Sequence, residues 1–223
     1  MKKKRLPSRR RRALHWMAAL GLLLAGNCLL GLYCITPQQA LRQTERRYGV
    51  VPAELLKTME TPLAEDPGLR RWQLSANDGE LLLSSCRFEP LRGWTCQIET
   101  LLRDADTPLS AGIGSYCNET GHGYETGYVF FGVVRDPEIA AVEVSASHSS
   151  LGEVDGQYQL SPDPEERAEV SAFITMGDHR VFMTELPLVY DPGGSTYPNW
   201  EVRGLFADGT SVSVETVFHG IRR

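Results

Sequence analysis

The longest apolar stretch of the chain begins at Trp16 and ends at Ile35, and it contains no charged side chain. At about 1.5 Å per residue, a helix of this length spans about 30 Å, the thickness of a bilayer's hydrocarbon core. Asn27 interrupts the stretch, but one uncharged amide does not outweigh the surrounding leucines. The pattern therefore predicts a transmembrane helix within residues 13–36.

The charges on the two sides of this stretch predict its orientation. The first 12 residues carry eight basic side chains and no acidic one, whereas the next basic residues beyond the stretch are Arg42, Arg46 and Arg47. By the positive-inside rule, residues 1–12 form a cytoplasmic tail that also contacts anionic membrane lipid. The chain from about residue 37 onward is then extracytoplasmic, in a single-pass protein of the cell membrane.

Three kinds of export signal are alternatives to this anchor. A cleaved signal peptide usually has a shorter apolar region followed by small residues, which the sequence around Cys34 does not provide. A lipoprotein signal needs a small residue directly before its cysteine, and Asn27 precedes Cys28. A twin-arginine signal would already be apolar where Arg11 and Arg12 stand. An uncleaved signal-anchor is therefore the favoured interpretation.

Two small residues indicate a way for the predicted helix to pair. Gly21 and Ala25 are four residues apart, a spacing that lets two spanning helices approach closely. A homodimer through this face is one expectation. The alternative is that both residues are ordinary members of a spanning helix.

The next segment, residues 37–69, is interpreted as a helical stem and linker. Residues 37–48 are polar and rich in helix formers. Residues 52–60 predict a second short helix, with Pro52 at its first position and Leu55, Leu56 and Met59 on one side.

From residue 70 the pattern changes to an alternation with a period of two. Strand-like segments separated by turn residues recur through residues 70–223, and no long helical pattern is found there. About eight to ten strands, mostly joined by hairpins, predict a mainly β domain. The favoured architecture is an antiparallel β-sandwich, and a closed barrel is the alternative.

One hairpin can be predicted to the residue. If the loop covers residues 89–93, Phe88 faces Trp94 and Cys86 faces Cys96. Facing cysteines of this kind have α-carbons about 4.5 Å apart, which a disulfide can bridge, and an extracytoplasmic pair should oxidise. We therefore predict a Cys86–Cys96 disulfide, with two unpaired thiols as the alternative.

Several further segments carry a clear pattern. The apolar run at 127–135 predicts a central strand buried on both faces. Residues 170–186 predict a hairpin that turns at Gly177, and residues 200–218 predict another that turns at Gly209. The glycine-rich segment 112–127 is expected to be a mobile loop.

Charge excludes one class of function. The net charge is −5, but residues 37–223 hold 15 basic and 28 acidic side chains. Nucleic-acid binding requires basic residues on a folded face, and the predicted folded part is acidic. No nucleic-acid partner is therefore expected.

The candidate chemistry is sparse. Cys117, with His122 five residues later, is a conceivable nucleophile and base, although a free thiol or a disulfide between chains explains Cys117 as well. Asn118 begins a glycosylation motif that matters only in a eukaryotic host. No histidine spacing typical of a metal site and no nucleotide-binding motif is present, so neither metal nor cofactor is expected.

The layout resembles that of small, singly anchored extracytoplasmic proteins of unknown function from Gram-positive bacteria. The features that carry the resemblance are the basic leader, Gly132, Asp136-Pro137, Ile139, Val142, Val144 and the terminal hairpin at Asp208-Gly209. The resemblance implies a location in the cell envelope and no activity.

The sequence thus favours a non-catalytic, membrane-anchored envelope protein whose β domain binds a protein partner or scaffolds an assembly. The alternative is an anchored extracytoplasmic hydrolase or thiol enzyme that uses the segment with Cys117 and His122.

Overall fold

The computed structural model describes most of the chain and shows a mainly β protein. The residues described are 9–30, 33–62, 69–77, 79–90, 92–103, 106–120, 123–147, 149–154, 157–162, 166–191, 199–214 and 217–219.

Two helices precede the strands: α1 (Arg9–Leu29) and α2 (Pro37–Tyr48). The second helix confirms the prediction for residues 37–48. Within the described residues, no helix combines the length and the apolar character needed to cross a bilayer. Helix α1 begins with a run of arginines and ends at Leu29, before the end of the predicted span, and Cys34 already forms a β-bridge with Gly93.

The strands occupy most of the remaining chain. Their bounds are β1 (Glu54–Pro62), β2 (Leu69–Asn77), β3 (Glu80–Glu89), β4 (Gly93–Arg103), β5 (Leu109–Thr120), β6 (Gly123–Val134), β7 (Ile139–Ser147), β8 (Ser149–Val154), β9 (Gln157–Pro162), β10 (Glu166–Val170), β11 (Ile174–Met176), β12 (His179–Asp191), β13 (Asn199–Phe206), β14 (Ser211–Ser213) and β15 (Val217–His219).

The helix predicted at residues 52–60 is wrong, because most of this segment forms strand β1. The register with β2 shifts between Leu55 and Lys57, which marks a β-bulge. A bulge adds one residue to its strand and changes which side chains share a face. Leu56 and Met59 therefore both pack against the core, although a regular strand would point them to opposite faces. Because these two residues are three positions apart and lie on the same side, their spacing matched that of apolar residues on one face of a helix.

The strands form three larger sheets and one two-stranded ribbon, β8–β9. The first sheet has the order β1-β2-β3-β4, the central sheet β11-β12-β6-β5-β15, and the third sheet β10-β7-β13-β14. Neighbouring strands are antiparallel, except that β15 runs parallel to β5. Each described sheet is open and has two edge strands. These strands therefore do not form the closed barrel that was the alternative prediction.

The central sheet contributes to two hydrophobic cores. From β6, Val129 and Phe131 pack with Trp72 of the first sheet, whereas Phe130 packs with Val142 of the third. Successive side chains of a strand point to opposite faces, so one apolar run supplies both cores. The prediction of a strand buried on both faces is confirmed.

The glycine-rich segment 112–127 is not a loop in its described part. It contributes most of β5 and the beginning of β6, which pair antiparallel from Leu109 with Val134 to Thr120 with Gly123. Glycine permits turns, but the register here is fixed by the apolar residues that follow in β6. Of the predicted hairpin at 170–186, the turn at Gly177 is confirmed, whereas Val170 belongs to β10 in the third sheet.

Candidate functional site

The most elaborate part of the molecule is the junction at which the helices meet the β3–β4 hairpin. The predicted register of that hairpin is confirmed, with Cys86 opposite Cys96 and Phe88 opposite Trp94. The two cysteines form the predicted disulfide, with α-carbons 4.1 Å apart. The two aromatic rings meet edge to face, with centroids 5.8 Å apart.

Helix α2 has defined ends. The Thr36 hydroxyl accepts a hydrogen bond from the backbone N–H of Gln39, and the Gln39 side chain accepts one from the backbone N–H of Thr36. This reciprocal capping box satisfies two donors that the first turn leaves unpaired. At the other end, Gly49 takes a left-handed conformation with φ 67°, which glycine adopts without a steric penalty. The sequence therefore fixes the bounds of α2 locally.

Polar contacts attach α2 to its surroundings. The Thr44 hydroxyl lies 2.9 Å from the carbonyl oxygen of Cys96, to which it donates a hydrogen bond. The carboxylate of Glu45 has no solvent exposure, and it accepts hydrogen bonds from the N–H of Ala53 at 3.2 Å and from Arg42 at 2.9 Å. A buried carboxylate is stable only when its oxygens are paired in this way. The helix is thus held by both the hairpin and the segment leading into β1.

The link between the helices also lies against the hairpin. The backbone N–H of Trp94 donates a hydrogen bond of 2.8 Å to the carbonyl oxygen of Cys34. Gly93 has φ 73°, and a Cβ atom at this position would overlap that carbonyl oxygen. Only glycine therefore fits at position 93. The buried Cys34 thiol donates a 3.3 Å hydrogen bond to the side-chain oxygen of Gln43.

An open cavity of about 820 Å³ lies where α1 ends and α2 begins. Leu29, Leu30 and Tyr33 line one part of it, and Arg42 and Arg46 line another. It is therefore amphipathic, with an apolar side close to the end of α1.

A second groove, of about 430 Å³, runs over the disulfide. The charged residues that line it are four arginines and two glutamates: Arg47, Arg70, Arg87, Arg92, Glu89 and Glu99. Arg87 forms an ion pair of 2.8 Å with Glu89, and Arg92 lies 3.9 Å from the same carboxylate. More arginine than carboxylate is gathered here, so the groove is basic in an otherwise acidic domain.

The distribution of charge along the chain supports this contrast. Residues 37–99 carry eight basic and nine acidic side chains, whereas residues 100–223 carry seven basic and nineteen acidic ones. The acidic excess of the domain therefore belongs almost entirely to residues 100–223.

A buried polar cluster lies between the first and central sheets. The Tyr116 hydroxyl donates a short hydrogen bond to the Glu185 carboxylate, and Trp72 donates one of 3.2 Å to Thr61. Burial, followed by the neighbouring Glu185 carboxylate, raises the pKa of the Tyr116 hydroxyl above its ordinary value. Tyr116 is therefore a neutral donor over the physiological pH range.

Two of the other candidates lie on β5, which is not one of the elements that form the junction. Cys117 lies on β5 opposite Thr126 and Asn118 lies opposite Glu125, while His122 and the side chain of Cys117 lie outside the described residues. The proposed pairing of Cys117 with His122 therefore stays a prediction.

The histidines that the structure describes lie on separate elements. His179 begins β12 and His219 ends β15, while His148 lies outside the described residues. In the part of the chain that the structure describes, no three histidine, cysteine or acidic side chains converge on a point that could hold a metal ion.

Sequence reasoning missed the buried Glu45 and the bridge between Cys34 and Gly93. The capping box could have indicated α2, but no local signal predicts which surface a helix covers. Comparison of the chain with protein-family models, with curated proteins and with solved structures found no match.

Proposed function

We propose that this chain is a membrane-anchored, non-catalytic envelope protein whose extracytoplasmic β domain binds a protein partner or scaffolds an assembly. In this proposal α1 and the residues after it hold the chain in the bilayer, and α2 with the first sheet sets the position of the domain above it. We interpret each of the two cores as the interior of a β-sandwich, with the central sheet shared between them.

The observation that carries the proposal is the exposure of the apolar side chains of α1. Leu14, Trp16, Met17, Leu20, Leu22 and Leu23 are all largely exposed. Exposed leucines scattered singly are ordinary, but a helix that presents them on all its sides is typical of a segment surrounded by lipid. The arginines at the start of α1 fit the cytoplasmic boundary of such a segment.

The disulfide supports the extracytoplasmic location of the domain. Disulfides persist in oxidising compartments and are rare in the reducing cytoplasm. The Cys86–Cys96 bridge lies in the hairpin that contacts Cys34 and α2. An oxidised junction next to the end of α1 fits a domain that begins directly outside the membrane.

The test is to replace Leu22 and Leu23 together by arginine in the full chain expressed in intact cells. Each arginine near the centre of a spanning helix costs about 2.5–3.5 kcal/mol of insertion free energy. We expect the wild-type chain to remain with membranes after alkaline extraction and to lose a C-terminal tag to external protease. The double variant should appear in the soluble fraction or fail to expose its tag.

The matched control replaces the same two leucines by isoleucine, which keeps the apolar character of α1. If the arginine variant stays in the membrane to the same extent as this control, α1 is not the anchor and the proposal is wrong. A wild-type tag protected from protease in intact cells would contradict the orientation.

A further inference from the structure

The tip of the β3–β4 hairpin combines exposed aromatic and basic side chains. Phe88 is 48% exposed although it is a large apolar residue, and its ring packs on the partly buried Trp94. The guanidinium of Arg71 lies 5.3 Å from the centre of the Trp94 ring. Arg87 and Arg92 flank the pair and are largely exposed.

This tip is close to the end of α1. Gly93, at the tip, pairs with Cys34, which is only five residues after the end of α1 at Leu29. Leu29 and Leu30 are both largely exposed. If α1 spans the bilayer, the tip of the hairpin therefore lies at the membrane surface through which the chain emerges.

The chemistry of the tip matches that surface. Aromatic rings are enriched at the headgroup level of membranes, and basic side chains are attracted to anionic lipids. The two arginines of the last turn of α2, Arg46 and Arg47, are exposed, and Arg47 lines the same groove as Arg87 and Arg92. Aromatic and basic groups are thus gathered on the side of the domain that is tied to α1.

We propose that Phe88, Trp94, Arg47, Arg87 and Arg92 form a membrane-contact surface that binds the anionic headgroups of the bilayer holding α1. This inference rests on the proposed anchoring of α1. The domain then lies against the membrane, held at two points, with its acidic part, residues 100–223, available to other molecules. Anionic lipid repels that acidic part and attracts the tip, which fixes the orientation of the domain.

The experiment uses the full chain reconstituted in vesicles that contain lipids brominated near the headgroup. One set is pure phosphatidylcholine, and the other contains about one third phosphatidylglycerol. The quenching of Trp94 is obtained as the difference between the wild-type chain and a Trp94→Phe variant, which removes the signals of the other tryptophans.

We expect Trp94 quenching to be about twofold greater in the anionic vesicles, because each arginine near an anionic surface adds to the attraction. An Arg87→Gln/Arg92→Gln variant should lose this difference. The control variant, Arg103→Gln/Arg167→Gln, removes the same charge elsewhere: Arg103 pairs with Glu80 at the opposite end of the hairpin, and Arg167 lies on β10. It should keep the difference.

A salt series on the wild-type chain tests the same surface without substitutions. Raising sodium chloride from about 0.1 M to 1 M shortens the screening length from about 10 Å to 3 Å and should remove the lipid-dependent difference.

The outcomes separate the two proposals. If the chain does not float with neutral vesicles at all, the anchoring proposal fails, and this inference fails with it. If the chain floats with them but Trp94 is quenched equally in both lipids, or the control variant loses the difference as well, only the membrane-contact surface is wrong.

Discussion

The two helices follow one another in the chain, but their apolar side chains differ in solvent exposure. In α1 the leucines whose side chains the structure describes are exposed, whereas in α2 Leu41 is 4% exposed and Ala40 is equally buried. Helix α2 is the more polar of the two, and its buried set even includes the carboxylate of Glu45. It nevertheless packs against the protein, on strands β3 and β4.

Whether a helix is buried therefore depends on the protein surface that packs against it and not on its average hydrophobicity. Helix α2 has few apolar residues, but they lie on one side and the hairpin provides complementary partners, including the Cys96 carbonyl for Thr44. In α1 apolar residues surround the axis, so no single protein surface can cover them. Such a helix is covered only by surroundings that are apolar on every side.

The largest effect is expected from a pair of leucine substitutions, one in each helix. Leu41→Ala should lower the free energy of unfolding of the β domain by about 2–4 kcal/mol, because it leaves a cavity under α2. Leu22→Ala should change it by less than about 0.5 kcal/mol, because that side chain is exposed. Guanidinium unfolding of both variants in the same detergent, followed by near-ultraviolet circular dichroism, measures the difference. Equal effects would remove the distinction between the helices.

A smaller loss of stability is expected when the β3–β4 hairpin beneath α2 is weakened. Replacing Cys86 and Cys96 together by alanine should cost about 2–3 kcal/mol, since the bridge closes a short loop in the unfolded chain. Proteolysis should then cut within α2 sooner than in the wild-type chain, while the cutting rate within α1 should not change.

Wild-type protein treated with a reductant serves as the comparison for that double variant, because it loses the bond and keeps the residues. If α2 stays as protected as before in both samples, the hairpin does not depend on the disulfide to hold the helix.

The smallest change in the free energy of unfolding is expected at Tyr116, which belongs to neither helix. Burial raises the pKa of Tyr116, so the folded state keeps this proton at pH values where the unfolded chain loses it. The resulting stabilisation is present below the unfolded pKa of about 10 and is lost as the pH rises above it. Tyr116→Phe should lose about 0.5–1.5 kcal/mol at neutral pH through the missing hydrogen bond.

The measurement is a series of thermal unfolding curves from pH 8 to pH 11. The wild-type chain should lose stability more steeply above pH 10 than Tyr116→Phe does, and Leu41→Ala should follow the wild-type slope. Parallel slopes for the wild-type chain and Tyr116→Phe would contradict the assigned role of Tyr116.

The parts of the fold that were predicted correctly are those in which the pattern repeats over neighbouring residues. The β3–β4 register followed from one alignment that paired two aromatic residues and two cysteines together. Strand β6 followed from its unbroken apolar run. Strand β1 was missed because a bulge placed Leu56 and Met59 on one face, and a bulge depends on the partner strand rather than on local sequence.

Only some features of the candidate site could be predicted from the sequence. The disulfide was predicted, but neither the groove of arginines around it nor the contact of Cys34 with Gly93 was. Arg47, Arg70 and Arg87 lie far apart in the chain, and only the meeting of α2, β2 and β3 brings them together. For the glycine-rich segment that contains Cys117, the composition predicted a loop. The segment instead pairs with β6 and forms a strand.

By itself, the sequence determined the apolar stretch, the bounds of α2, the mainly β character and the cysteine pair, because each depends on periodicity or spacing within a few residues. The tertiary structure alone decided that β1 is a strand, that Glu45 is buried and that the tip of the hairpin lies beside the end of α1. These features depend on contacts between distant segments, and local side-chain patterns do not specify which surfaces will meet.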